Sequence, residues 1–104
     1  MKPETLNTSS KYLTSIKQNV LMRLAEEDVS IALFGSTAKG VGRASSDVDV
    51  AVIPNVPWTG SKLALLRAEL EESNIPYKVD IVDFSYVSPE FRTLALKGAI
   101  WWKQ

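Results

Sequence analysis

The stretch Asp47-Val48-Asp49-Val50-Ala51-Val52-Ile53 constrains this chain more than any other. It alternates with period two, the signature of a β-strand with one apolar and one polar face. Val48, Val50 and Val52 leave one face; Asp47, Asp49 and Ala51 leave the other. The valine face must be covered by other elements. The opposite face carries two carboxylates whose Cα atoms stand ~7 Å apart along one strand. Pro54-Asn55-Val56-Pro57 ends the strand.

The rest of the chain supplies the cover. Leu13, Ile16, Val20 and Leu24 recur at spacings of three and four, which predicts an amphipathic helix over Ser10 to Glu27. Val29 to Phe34 is a short apolar run that reads as a buried strand ending at Gly35. A short helix is expected from Gly35-Ser36 through Lys39, and Val41 to Ser46 reads as loop. Leu63, Leu66 and Leu70 predict a helix over Ser61 to Ser73, with Ser61 placed as its N-cap and Asn74-Ile75-Pro76 as its stop. Tyr77 to Phe84 is a third strand. In it Val79 and Ile81 face one way and Lys78, Asp80 and Val82 the other. Ser88-Pro89 predicts a helix start with Ser88 as N-cap, and that helix should end near Gly98. Ala99 to Trp102 reads as a short last strand. Helices alternating with strands indicate an α/β (α+β) sheet flanked by helices, in one domain spanning residues 1–104.

The composition narrows the chemistry. Twelve basic residues balance twelve acidic ones, which argues against an extended nucleic-acid surface or an anionic membrane as partner. No apolar run approaches the ~20 residues that span a bilayer. The polar first ten residues lack the apolar core of a signal peptide, so the expected address is cytoplasmic. The chain has no Cys and no His. Disulfides, thiolate nucleophiles, Cys-ligated zinc and Ser-His relays are therefore excluded. What remains is chemistry by carboxylates, hydroxyls, amines and guanidiniums, an inventory suited to metal-assisted phosphoryl transfer.

Three sequence features fit that chemistry, and each has a bland alternative. Asp47 and Asp49 repel unless divalent cations relieve them, and oxygen ligands suit Mg²⁺; the alternative is an ordinary polar strand face. Gly35-Ser36 follows a strand and opens a helix, so free N–H groups and a hydroxyl face any phosphate placed there; the alternative is a helix cap. Asp80 lies in mid-strand on the face opposite Val79 and Ile81. It completes a triad if its strand neighbours that of Asp47 and Asp49, and is otherwise an exposed polar residue. Asp83 is its rival, but falls on the Val79/Ile81 face near the strand end and reads as a turn residue. Lys39 and Arg43 are phosphate-neutralising groups or solvated loop charges.

The conjunction is more specific than its parts. Leu33 to Ile53 (LFGSTAKGVGRASSDVDVAVI) and Val79 to Val82 (VDIV) resemble the DNA polymerase β superfamily, and most closely its minimal nucleotidyltransferases. The resemblance spans roughly the whole chain. It implies a polymerase β palm-like fold, a small mixed sheet with the two Asp-bearing strands adjacent. It implies transfer of AMP or another NMP from ATP or another NTP to a hydroxyl, with release of pyrophosphate. Asp47 and Asp49 would hold two Mg²⁺ ions. Asp80 would bind the catalytic ion and help deprotonate the acceptor. Gly35 and Ser36 would hold the β- and γ-phosphates, assisted by Lys39 and Arg43. Larger relatives carry a helical domain for the acceptor, so here the acceptor surface is expected from a second copy or from another protein. Minimal members are paired with HEPN-domain toxins, whose tyrosine they adenylylate as antitoxins.

Two other functions compete: a non-catalytic antitoxin that neutralises its partner by binding, and a small-molecule adenylyltransferase. Ala99-Ile100-Trp101-Trp102 bears on the first, as a partner-docking patch or as a strand packed on the core; alternation lets one sheet face bury only one of the two tryptophans. Trp58 reads as a loop anchor, with base stacking as the alternative.

Overall fold

The computed structural model describes residues 4–35, 47–75 and 78–104. In chain order these form α1 (Glu4–Arg23), β1 (Val29–Phe34), β2 (Val48–Pro54), α2 (Ser61–Glu71), β3 (Val79–Asp83), α3 (Pro89–Leu96) and β4 (Ile100–Lys103). The strands make one mixed sheet in the order β3-β2-β1-β4. β1 is antiparallel to both β2 and β4, and β2 is parallel to β3. The parallel step is a crossover, and α2 supplies it. The two Asp-bearing strands are therefore neighbours, in the α+β arrangement expected.

The valine face of β2 is covered by two helices. Val48, Val50 and Val52 join Ile31 and Leu33 of β1, Ile81 of β3, Ile16 and Val20 of α1, and Leu63, Leu66 and Leu70 of α2 in the main core. Ile16, Val20 and Leu66 are fully buried. At roughly 1.5–3 kcal/mol per buried aliphatic side chain, this face supplies most of the drive to fold. The other face is covered only in part. Phe34, Ala51, Ile53 and Phe84 form a smaller cluster there, against Ala95 and Leu96 of α3. Phe84 packs edge-on to Phe34 at 5.5 Å between ring centroids and meets Phe91 of α3 at 5.8 Å. No residue of α3 is fully buried. Part of this second face is thus left open, and the carboxylates stand there.

Several boundaries differ from the sequence reading. α1 starts at Glu4, not Ser10, and ends at Arg23, not Glu27. The turn that follows it is held by tertiary contact: Lys103 Nζ, on β4, donates to the carbonyls of Leu24 at 3.2 Å and Glu27 at 2.8 Å. Ser61 is not the cap of α2. Gly60 is, in a left-handed conformation (φ 71°) without a side-chain cap bond. Ser61 is the first helical residue, and its N–H donates to Thr59 Oγ1 at 3.3 Å. Ser88 does cap α3, accepting from the Phe91 N–H at 3.1 Å, with Pro89 at the first helical position. α3 stops at Leu96, slightly before the expected end. The short helix through Lys39 and the loop from Val41 to Ser46 lie outside the described residues.

Trp102 packs against the main core, whereas Trp101 is exposed at 39%. The strand alternation of β4 divides them, as period two requires. Trp58 also packs on the main core, with its buried indole Nε1 lacking a partner among the described residues. It is a loop anchor.

Candidate active site

β2 and β3 run parallel with Asp49 opposite Asp80. Register partners on neighbouring strands project to the same face, ~5 Å apart. On the other side Asp49 is paired with Phe34 of β1. Its carboxylate thus stands between an aromatic ring and a second carboxylate. Burial raises the Asp49 pKa above the usual 3.8, and the charges of Asp80 and then Asp47 raise it further. Asp47 immediately precedes β2, is exposed, and completes the set from the strand's N-terminal end.

Gly35 closes the site from below. It sits at the end of β1 with φ +80°, a conformation that side-chain-bearing residues rarely adopt. A Cβ built there would lie 2.5 Å from Asp49 Oδ2. The backbone of the strand end and the carboxylate are in direct contact, and only hydrogen at this position permits it. Ser36, Lys39 and Arg43 lie outside the described residues, so this end of the candidate site is represented by Gly35.

Asp83 is elsewhere. Its Oδ1 accepts from the Ser85 N–H at 2.8 Å, a turn that ends β3. Its other oxygen approaches Gly60: a Cβ built on that glycine would lie 3.3 Å from Asp83 Oδ2. Asp83 follows the parity of Val79 and Ile81, away from Asp49, and is a structural turn residue.

The donor set fits a divalent cation by its chemistry. All its members are carboxylates, they share a partly open face, and their mutual repulsion raises one pKa, which is what a cation would relieve. Among the described residues no group of three or more acidic side chains is placed to hold a metal ion. Asp49 and Asp80 are aligned in register, and Asp49 is electrostatically coupled to Asp80 and Asp47.

Two neighbours were not singled out by the sequence. Phe34 is the register partner of Asp49 across β1 and β2, and its parity in β1 was a usable signal. Arg67 of α2 donates from Nη2 to the Ile81 carbonyl at 2.7 Å. Helical periodicity marks it only as flanking the core stripe, so nothing in the sequence announces that contact. It lies in a cavity of about 350 Å³ that Asp80 and Lys78 also line. A larger cavity, about 600 Å³, lies between α1 and α2 beside Met22 and Leu65 and includes none of these carboxylates.

Comparisons with known proteins point the same way. The family model described as polymerase beta, nucleotidyltransferase matches residues 17–101. The probable protein adenylyltransferase MntA of Haemophilus influenzae is 32% identical over 92 residues, which cover 88% of this chain and 79% of that protein. Among solved structures, a toxin–antitoxin crystal structure with AMP-PNP superposes with a TM-score of 0.61 at 23% identity, covering 83% of this chain and 71% of that one. A mutant of the toxin–antitoxin MntA-HpeT gives a TM-score of 0.61 at 20% identity, over 83% and 70%. At such identities these two structures speak to the fold alone, and the fold agrees. With the matched region running from the middle of α1 into β4, this chain belongs to the polymerase β nucleotidyltransferase family and is an enzyme of that class.

Proposed function

We propose that this chain is a single minimal nucleotidyltransferase domain over residues 1–104 that moves AMP from ATP to a hydroxyl of a protein partner. The partner is a HEPN-domain toxin, the acceptor a tyrosine, and the role that of an antitoxin in the cytoplasm. The observation that carries the reading is the alignment of Asp49 with Asp80 on one open face, with Gly35 pressed against the Asp49 carboxylate. Its relative from Haemophilus influenzae, a probable protein adenylyltransferase, supports the choice of a protein acceptor. The fold is shared with a toxin–antitoxin structure that holds AMP-PNP, and the proposed nucleotide and partner are drawn by analogy with it. Among the described residues no helix is long and apolar enough to cross a membrane.

In this reading Asp47, Asp49 and Asp80 would hold two Mg²⁺ ions. The ions would neutralise the phosphates and lower the pKa of the acceptor hydroxyl. Asp80 faces the acceptor and takes up its proton. The hydroxyl oxygen forms a bond to the α-phosphorus, and the bond from that phosphorus to the bridging oxygen breaks. Pyrophosphate carries away the electron pair. Gly35 and Ser36 hold the β- and γ-phosphates through main-chain N–H groups and a hydroxyl, and Lys39 and Arg43 add positive charge.

Incubation of the chain with α-labelled ATP, Mg²⁺ and its genomic-neighbour protein tests this. Label is expected on a tyrosine of the neighbour, and is expected to be lost with Asp47→Asn/Asp49→Asn. Equal transfer by that double variant would refute the catalytic assignment.

A second reading, neutralisation by binding without turnover, draws on exposed apolar side chains. Trp101, together with Phe91 and Leu94 of α3, gives a docking surface that needs no chemistry. It predicts that the double variant still silences the partner.

A further inference from the structure

We infer that the outer edge of β3 is the docking strand for the acceptor, which enters as an extended peptide and displaces Arg67 from the Ile81 carbonyl. The inference rests on the reading above in one respect: that Asp80 faces the acceptor.

The main chain of β3 has two sides. Lys78 O accepts from Val48 N–H, and Phe84 N–H donates to Val52 O, each at 2.8 Å. Both residues therefore turn their main-chain groups toward β2. By the period of two, so do Asp80 and Val82, whereas Val79, Ile81 and Asp83 turn theirs outward. Arg67 confirms the sense, because it reaches the Ile81 carbonyl from outside. β3 ends the strand order, so among the described residues no strand takes up this row.

An open edge beside a reacting carboxylate is a template for strand addition. Its side-chain geometry is favourable. Asp49 and Asp80 already stand side by side across β2 and β3. A strand added outside β3 would continue that row. The residue opposite Asp80 would project to the same face, with its Cβ ~5 Å from that of Asp80. A hydroxyl on this residue is delivered to the carboxylate by main-chain pairing alone. The space exists as the cavity of about 350 Å³ between α2 and the β3 edge, lined by Arg67, Leu70, Glu71, Lys78 and Asp80. Its mixed charges suit a peptide better than a phosphate backbone, which would meet Glu71 as well as the cations.

Arg67 has the place of a removable cover. It is exposed apart from the one bond it donates, so it swings aside at small cost, and charged residues are a usual guard of bare edges. The edge is thus protected from indiscriminate pairing until an acceptor strand competes for the same carbonyl.

The test uses the full ¹⁵N-labelled chain and a capped heptapeptide of alternating Val and Thr with one central Tyr. On titration, the amides of Val79, Ile81 and Asp83 are expected to shift and gain exchange protection, whereas those of Asp80 and Val82 are already protected. Arg67→Ala, which leaves the Ile81 carbonyl open, is expected to tighten peptide binding about fivefold, the worth of one competing hydrogen bond. Val79→Pro removes one outward donor at the strand's first residue, where Pro is tolerated, and is expected to weaken binding at least about tenfold. No β3 shifts at millimolar peptide, or shifts confined to α3 and β4, would overturn the inference, as would weaker binding by Arg67→Ala. So would a short 3′-hydroxyl oligonucleotide that moves the β3 amides where the peptide does not. Transfer from labelled ATP is scored separately. Pairing at β3 without transfer faults the catalytic reading, and transfer without pairing at β3 faults only the docking strand.

Discussion

A side chain at Gly35 would collide with the Asp49 carboxylate: the first carbon of any such side chain would lie 2.5 Å from Oδ2. The end of β1 and the middle of β2 are therefore fitted to each other through a hydrogen atom. The contact joins the two features on which the phosphate and metal roles are proposed, and it makes Gly35 necessary on two independent grounds, sterics and a φ of +80°.

Gly35→Ala is accordingly expected to cost about 1–3 kcal/mol, from backbone strain at positive φ and displacement of Asp49. Thermal melting checks the stability. Transfer from ATP is expected to fall at least about tenfold, because a carboxylate with the proposed metal role, moved by a few tenths of an ångström, no longer holds the productive geometry. Wild-type activity in a soluble Gly35→Ala protein would refute the fit.

Asp49 sets a pH dependence. Burial, then Asp80, then Asp47 raise its folded pKa above the unfolded value near 3.8. The folded state then binds the proton more tightly than the unfolded state. Asp49's stabilising contribution is full below pH 3.8 and is lost as pH rises through the raised value. At neutral pH without metal the ionised group is a net burden. Asp49→Asn is expected to raise the metal-free Tm by about 2–5 °C while cutting transfer on the order of a thousandfold. Mg²⁺ is expected to raise the Tm of the wild type but not of the variant. Melting curves with and without Mg²⁺ decide it; a lower Tm for metal-free Asp49→Asn would contradict the electrostatic account.

Asp80 and Asp83, three residues apart, are expected to behave oppositely. Asp80→Asn should abolish transfer with little change in stability. Asp83→Ala removes the bond to the Ser85 N–H. It should cost about 0.5–1.5 kcal/mol and leave transfer within about twofold. Paired melting and transfer assays check both, and equal loss of activity in the two would refute the division.

The adjacent tryptophans should separate in the same way. Trp102 packs on the main core, and Trp102→Ala is expected to lose about 1–3 kcal/mol, less than a fully buried Trp because it is only partly covered. Trp101, exposed at 39%, is expected to tolerate Ser within about 1 kcal/mol. If Trp101 carries the partner surface, Trp101→Glu also loses co-purification of the neighbour protein while keeping its Tm.

Local pattern was enough to decide how each strand is faced. Strict alternation in Asp47 to Ile53 put Asp49 on the side away from the valines, and alternation in β3 put Asp80 with Val82 and Asp83 with Ile81. The facing follows from covalent geometry: successive side chains of an extended chain leave opposite sides whatever surrounds them. The capping of α3 by Ser88 was equally local, since donor and acceptor lie three residues apart. Where the decisive partner was distant, local pattern failed. The turn after α1 is held by Lys103, nearly eighty residues later, and the start of α2 is turned by Gly60 beside Trp58 and Asp83 rather than by Ser61. Only the tertiary structure placed β3 parallel to β2 with Asp80 beside Asp49, set Phe34 against that pair, and left the Ile81 carbonyl to Arg67. The physical reason is that strand order and register are chosen by how the whole valine face is buried under α1 and α2, a collective energy to which each residue contributes and which no short segment contains.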